Sequence, residues 1–146
     1  MPAQFILLVE DSLLNAKVIK ALVSPAGFVV TIAGSAERAV ECLEQFTPDL
    51  ILMDMQLPGM SGLELTRLLK ADLSKCRIPI IALTANDSSQ DRQTMMDAGC
   101  VGLLSKPVRP AHFAAQLRAM FAVPDSPPPI SVAGGEFNQA ETTLLL

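Results

Sequence analysis

The chain has 146 residues, half of them hydrophobic, with 15 acidic and 11 basic side chains and a net charge of −4. That length and apolar content give one domain with a proper core and exclude a disordered chain; no apolar run approaches the roughly 18 residues of a membrane span. No basic patch stands out, and Trp and Tyr are absent, so proteins are favoured as partners over nucleic acid or membrane.

The opening MPAQFILLVED has no basic n-region and no small-residue cleavage site. It reads as the first strand of a cytoplasmic protein, not as a signal peptide. FILLV (5–9) is a short continuous apolar run, the pattern of a strand covered on both faces. Residues 12–27 predict a helix capped by Ser12, with Leu14, Val18, Ala21 and Leu22 at helical spacing and Pro25 and Gly27 ending it. FVVTIA (28–33) is β-branched and predicts a strand. Residues 35–46 predict a helix with Ser35 as N-cap and an inner stripe of Ala36, Ala39, Val40, Leu43 and Phe46. LILMD (50–54) is again a buried strand. Residues 61–72 predict a helix with Leu65, Leu68 and Leu69 inward. PIIALTA (79–85) and VGLLS (101–105) predict strands. Residues 88–99 predict a helix opened by Ser88, with Asp91 in its first turn where the helix dipole favours an acid. Residues 109–121 make the last helix, with Pro110 tolerated near its start. Strands alternating with helices demand a parallel sheet joined by right-handed crossovers.

From residue 124 the character changes. Residues 124–146 carry three acids, no base, four of the 11 prolines and a Gly-Gly pair, and are expected to be a tail or linker. Cys42, Cys76 and Cys100 are odd in number and far apart, so they suggest free thiols in a reducing compartment and neither a disulfide framework nor a metal cluster.

Ligands of a parallel α/β sheet bind beyond the carboxyl ends of its strands. The first strand ends in Glu10-Asp11, the third in Asp54, the fourth in Thr84 and the fifth in Lys106, so all five side chains emerge at one edge. Acids gathered this way repel: two unit charges 4 Å apart cost roughly 4 kcal/mol at an effective dielectric of 20. An all-oxygen set selects a hard cation, and Mg²⁺ fits best. With Lys106 as a fixed positive charge and Thr84 as a hydroxyl donor, the set suits phosphoryl transfer. Asp54 stands alone at its strand end, beside a loop shaped by Pro58, Gly59 and Gly62, and is the candidate nucleophile. Each residue alone has a duller reading, as a turn, cap or solvated loop residue. His112 is the sole histidine and is expected to be structural, not a phosphodonor. Leu13, Leu14 and Lys17 on the first helix offer a docking face for a partner four-helix bundle, unless Leu14 packs inward.

The segments ILLVED, DLILMDMQLPGMSGLEL, IPIIALTAN and LLSKPV, spread over residues 4–122, resemble the receiver domain of two-component response regulators. Within that family, MSGLE, AGC, SKP and HF (112–113) are most similar to single-domain regulators of the DivK type. Receivers of hybrid sensor kinases are also similar, and a first strand starting almost at Met1 argues against a module from the end of a kinase. The resemblance implies a flavodoxin-like (βα)₅ fold, a doubly wound parallel sheet of strand order 2-1-3-4-5, over a receiver domain of residues 1–123. It also implies roles. Asp54 accepts a phosphoryl group from a histidine kinase or histidine phosphotransfer protein, and the change alters binding of a downstream protein target. Asp11, Asp54 and the Gln56 carbonyl bind Mg²⁺, Glu10 holds a metal-bound water, and Lys106 and Thr84 bind phosphoryl oxygens. The Lys106–Pro107 bond is expected to be cis. Where the family carries a switch aromatic, three residues before the lysine, this chain has Leu103, so the signal is expected to run through backbone shifts of the 84–90 loop.

Other classes fit less well. A haloacid dehalogenase-type phosphatase wants a second Asp two residues after the nucleophile, where Gln56 stands. A binding-only pseudo-receiver would lack an acid or the lysine, and all are present. No glycine-rich phosphate loop follows the first strand. The chain is therefore expected to be a phosphoacceptor regulator and not a turnover enzyme.

Overall fold

The computed structural model describes residues 4–85, 88–106, 113, 115–117 and 119. The chain divides into two compact units, Met1–Pro107 and Val108–Leu146. In the first, strands β1 (Gln4–Val9), β2 (Phe28–Ala33), β3 (Leu50–Asp54), β4 (Ile80–Thr84) and β5 (Gly102–Ser105) alternate with helices α1 (Leu13–Val23), α2 (Ala36–Gln45), α3 (Gly62–Ala71) and α4 (Ser89–Ala98). The strands are parallel, in the order β2-β1-β3-β4-β5, as the resemblance implies. Of the second unit, residues 113, 115–117 and 119 are helical, within the segment read as the last helix, and Phe113 and Leu117 are buried. The expectations for Pro107, His112 and the tail fall outside the described residues.

The apolar runs form strands because both faces of the sheet are covered. Leu7 and Val9, Ile51 and Met53, and Ile80 and Ala82 join a core cluster with Ala36, Ala39, Leu43, Leu65, Leu69 and Met95. The intervening Ile6, Leu8, Leu50, Leu52, Ile81 and Leu83 are equally buried. Helix starts follow the cap signals: Ser12, Ser35, Ser61 and Ser88 each accept a first-turn N–H, and Ser61 closes a capping box with Glu64. A short 3₁₀ turn, Ser24–Ala26, follows α1, and Gly27 then takes φ +99°, a left-handed value that glycine adopts without a Cβ penalty.

Three inner faces differ from the sequence reading. Helix α1 buries Ala16, Ile19 and Val23, while Leu14 is 73% exposed and Val18 and Ala21 also face out. Val40 of α2 and Leu68 of α3 are exposed too. In α3 the inward place beside Leu65 is taken by Thr66, whose hydroxyl donates to the Gly62 carbonyl at 2.8 Å. That bond satisfies a hydroxyl that burial would otherwise penalise.

The three cysteines are free, as expected, with Cys42 and Cys76 half-buried and Cys100 buried. Burial pushes the Cys100 thiol up to about 11. Alkylation near pH 8, where only the thiolate reacts, is therefore expected to label Cys42 and Cys76 and to spare Cys100 until the chain unfolds. Mass spectrometry checks this, and a third adduct forming as fast as the first two would contradict it. The folded state's preference for the neutral thiol stabilises the fold below pH 9.0, and that contribution is lost as pH rises through about 11.

Candidate functional site

The carboxyl ends of β1, β3, β4 and β5 bring the sequence candidates to one edge of the sheet. Glu10 follows β1 and is held there by its own N–H, which donates to the Ala33 carbonyl at 3.0 Å. Asp54 is the last residue of β3, and the Gln56 N–H donates to its Oδ1 at 2.9 Å. Thr84 closes β4, and its carbonyl accepts the Lys106 N–H at 2.8 Å, which fastens the root of the lysine beside it. Glu10, Asp54 and Thr84 are each only 2% exposed, while Asp11 is open to solvent.

Lys106 links the two buried acids. Its Nζ lies 3.0 Å from Glu10 Oε1 and 3.1 Å from Asp54 Oδ2. Burial disfavours the lysine's charge, but the two carboxylates outweigh it and hold its pKa above the ordinary value. Glu10 also moves up, against what a simple ion pair would do. Burial is the largest influence; Lys106 and the Ser12 N–H, which donates to Oε2 at 3.2 Å, pull the other way, and Asp54 adds to the rise. Burial wins because one shared ammonium serves two carboxylates.

Carboxylate oxygens of Glu10, Asp11 and Asp54 lie within 4.8 Å of one another. Glu10 Oε1 is buried and, among the described residues, accepts no hydrogen bond of good geometry, although Lys106 faces it as an ion pair. Three acids with a spare buried acceptor form an all-oxygen donor set, which fits a small hard divalent ion such as Mg²⁺.

Gln56 itself is exposed at the start of the β3–α3 loop, where Gly59 turns the chain at φ +73°. That loop borders a cleft of about 220 Å³ lined by Met55, Gln56, Leu63, Thr84, Thr94 and Met95 among others. Periodicity gave no sign of Met55, Leu63 and Met95 as neighbours of the site, because their spacing is also that of ordinary core residues. Leu103 pairs with Ala82 and packs half-buried against the core cluster. Leu13 and Leu14, just beyond Asp11, are 61% and 73% exposed, so Leu14 does not pack inward.

A doubly wound sheet with an acidic cluster and a lysine at this edge defines a receiver fold. The sequence profile of the response regulator receiver domain matches residues 6–118, and the chain belongs to that family, the receiver modules of two-component signalling. It is 38% identical over 108 residues to the polar-differentiation response regulator DivK of Brucella ovis, a match spanning 74% of this chain and 88% of that protein. The receiver domain of a sensor histidine kinase from Pseudomonas aeruginosa PAO1, solved with a magnesium ion coordinated in its active-site cleft, is 40% identical with a TM-score of 0.71. That likeness covers 80% of this chain and 95% of the other. The chemotaxis protein CheY4 of Vibrio cholerae is 25% identical, with a TM-score of 0.75 over 80% of this chain and 97% of its own. No helix among the described residues is long and apolar enough to cross a membrane.

Proposed function

We propose that the chain is a phosphorylatable switch of a two-component phosphorelay, in which Asp54 accepts a phosphoryl group from a phosphohistidine of a sensor kinase or phosphotransfer protein. The observation that carries this reading is the Lys106 ammonium lying 3.0 and 3.1 Å from the buried Glu10 and Asp54 carboxylates at the carboxyl edge of the sheet. An Asp54 carboxylate oxygen attacks phosphorus, an O–P bond forms, and the P–N bond to the donor imidazole breaks with its electron pair leaving on nitrogen. Lys106, held beside Asp54, balances charge on the phosphoryl oxygens, and the Thr84 hydroxyl donates to one of them. Asp11, Asp54 and the Gln56 carbonyl are the proposed direct ligands of Mg²⁺, with Glu10 holding a bound water. When bound, the ion neutralises phosphoryl oxygens as a Lewis acid.

The receiver domain is proposed to span residues 1–123, supported by the family match through residue 118, with 124–146 as a tail or linker. The exposed Leu13 and Leu14 support docking of a helical donor protein at the start of α1. Three unpaired cysteines among the described residues support a cytoplasmic setting. Output is a change in binding to a downstream protein, carried by the 84–90 backbone because Leu103 has no ring to swing.

Incubation with Mg²⁺ and acetyl phosphate tests the reading. Intact mass is expected to rise by one phosphoryl group, about 80 Da, and Asp54→Asn is expected to abolish the gain. An equal gain in Asp54→Asn, or none in the unmodified chain, would sink it.

A further inference from the structure

The geometry points to Gly62 as a positioning residue for Asp54: its missing side chain lets the first turn of α3 close on the Asp54 main chain and so sets where the 55–61 loop holds Gln56. The inference rests on the roles given to Asp54 and Gln56 above. A Cβ built on Gly62 would overlap the Asp54 carbonyl oxygen and lie 2.8 Å from its carbonyl carbon and 3.0 Å from Met53 Cγ. The first two are main-chain atoms, which cannot rotate out of the way. Gly62 is not among the glycines with positive φ, so space and not backbone conformation demands a glycine here.

Which side would yield to an added methyl follows from the packing. Strand β3 is paired on both sides, and all five of its residues are buried. The other side is looser, because the loop and α3 border the 220 Å³ cleft through Met55, Gln56, Ser61 and Leu63. The first turn of α3 is itself stiff. Ser61 and Glu64 bond reciprocally at 3.1 and 3.0 Å, and Thr66 bonds the Gly62 carbonyl. The far end of the loop is pinned, with Met55 N–H on the Leu83 carbonyl at 3.0 Å and Gln56 N–H on Asp54 Oδ1. A push at position 62 therefore moves the first turn and residues 57–61 toward the cleft, and the Gln56 carbonyl, on the loop side of its pinned N–H, turns relative to Asp54. Alanine is also the better helix former, by about 1 kcal/mol, which offsets part of the steric cost.

The test compares phosphorylation by acetyl phosphate across a Mg²⁺ series in the unmodified chain, Gly62→Ala and Gly34→Ala. The last is a control, since a Cβ there meets nothing within 4 Å. Gly62→Ala is expected to need about tenfold more Mg²⁺ for half-maximal rate, and to react at least about tenfold more slowly at saturation. Gly34→Ala is expected to match the unmodified chain. A Gly62→Ala protein that is folded by circular dichroism and matches the unmodified chain in both quantities overturns the inference. If the unmodified chain takes no phosphoryl group, the Asp54 reading fails first. Mg²⁺ titration followed by amide NMR then decides Gly62 alone, since the alanine variant must still bind the ion more weakly. Should Gly62→Ala not fold, Thr66→Val keeps the side-chain shape and drops the bond to Gly62. It is expected to slow phosphorylation about threefold, with Thr66→Ser restoring the rate. Equal rates in all three proteins would overturn the proposal.

Discussion

Lys106→Met is expected to lower the unfolding free energy by about 2–4 kcal/mol in chelator, with excess Mg²⁺ returning part of the loss. The Glu10 and Asp54 side chains are 1% and 3% exposed, and both face the same ammonium. Removing that cation leaves two desolvated acids beside each other and beside Asp11. Breaking a fully buried pair costs about 3–5 kcal/mol, and the figure here is lower because the Lys106 side chain is 22% exposed and water can follow it in. A divalent ion bound by the same acids replaces the lost charge, so the variant gains more from Mg²⁺ than the unmodified chain does. Urea unfolding with and without Mg²⁺ checks this. A variant as stable as its parent in chelator would mean that the acids do not depend on Lys106.

The second large effect lies in the central strand. Ile51→Ala is expected to cost about 3–5 kcal/mol and to lower the melting temperature by on the order of 15 °C. Ile51 is fully buried, stands between Leu7 and Ile80 in register, and belongs to the core cluster shared with α2, α3 and α4. Leu14→Ala, at a 73% exposed position, is expected to change stability by less than about 0.5 kcal/mol. Calorimetry on the two variants checks the contrast, and comparable losses would mean that α1 is turned the other way.

Leu14 also marks the limit of what periodicity can tell. The sheet was legible because its strands read as short apolar or β-branched runs, four of which lead into a polar residue, and the starts of α1 to α4 each carry a serine cap. The site was legible for the same reason: parallel strands put Glu10, Asp11, Asp54, Thr84 and Lys106 at one edge by topology alone. The inner face of α1 was not. Its LLNAKVIKALV carries apolar residues on nearly every side, so the Leu14–Val18 stripe and the Ala16–Ile19–Val23 stripe fit a 3.6-residue period equally well. The tertiary fit chose the smaller Ala16 for the close contact. Thr66 escaped notice because a hydroxyl bonded back to its own helix looks from sequence like a surface residue. Gly62 was legible as a loop-shaping glycine, but the need for its missing Cβ follows only from where α3 meets Asp54.

The most direct measurement is the position of the acyl phosphate in the chain. Treating the phosphorylated protein with borohydride reduces a phosphoaspartyl group to homoserine, and peptide sequencing by mass spectrometry then locates it. Homoserine at position 54 and nowhere else is the expected result. Homoserine at position 11, a reduced side chain at Glu10, or phosphate left on a serine or threonine would contradict the central claim.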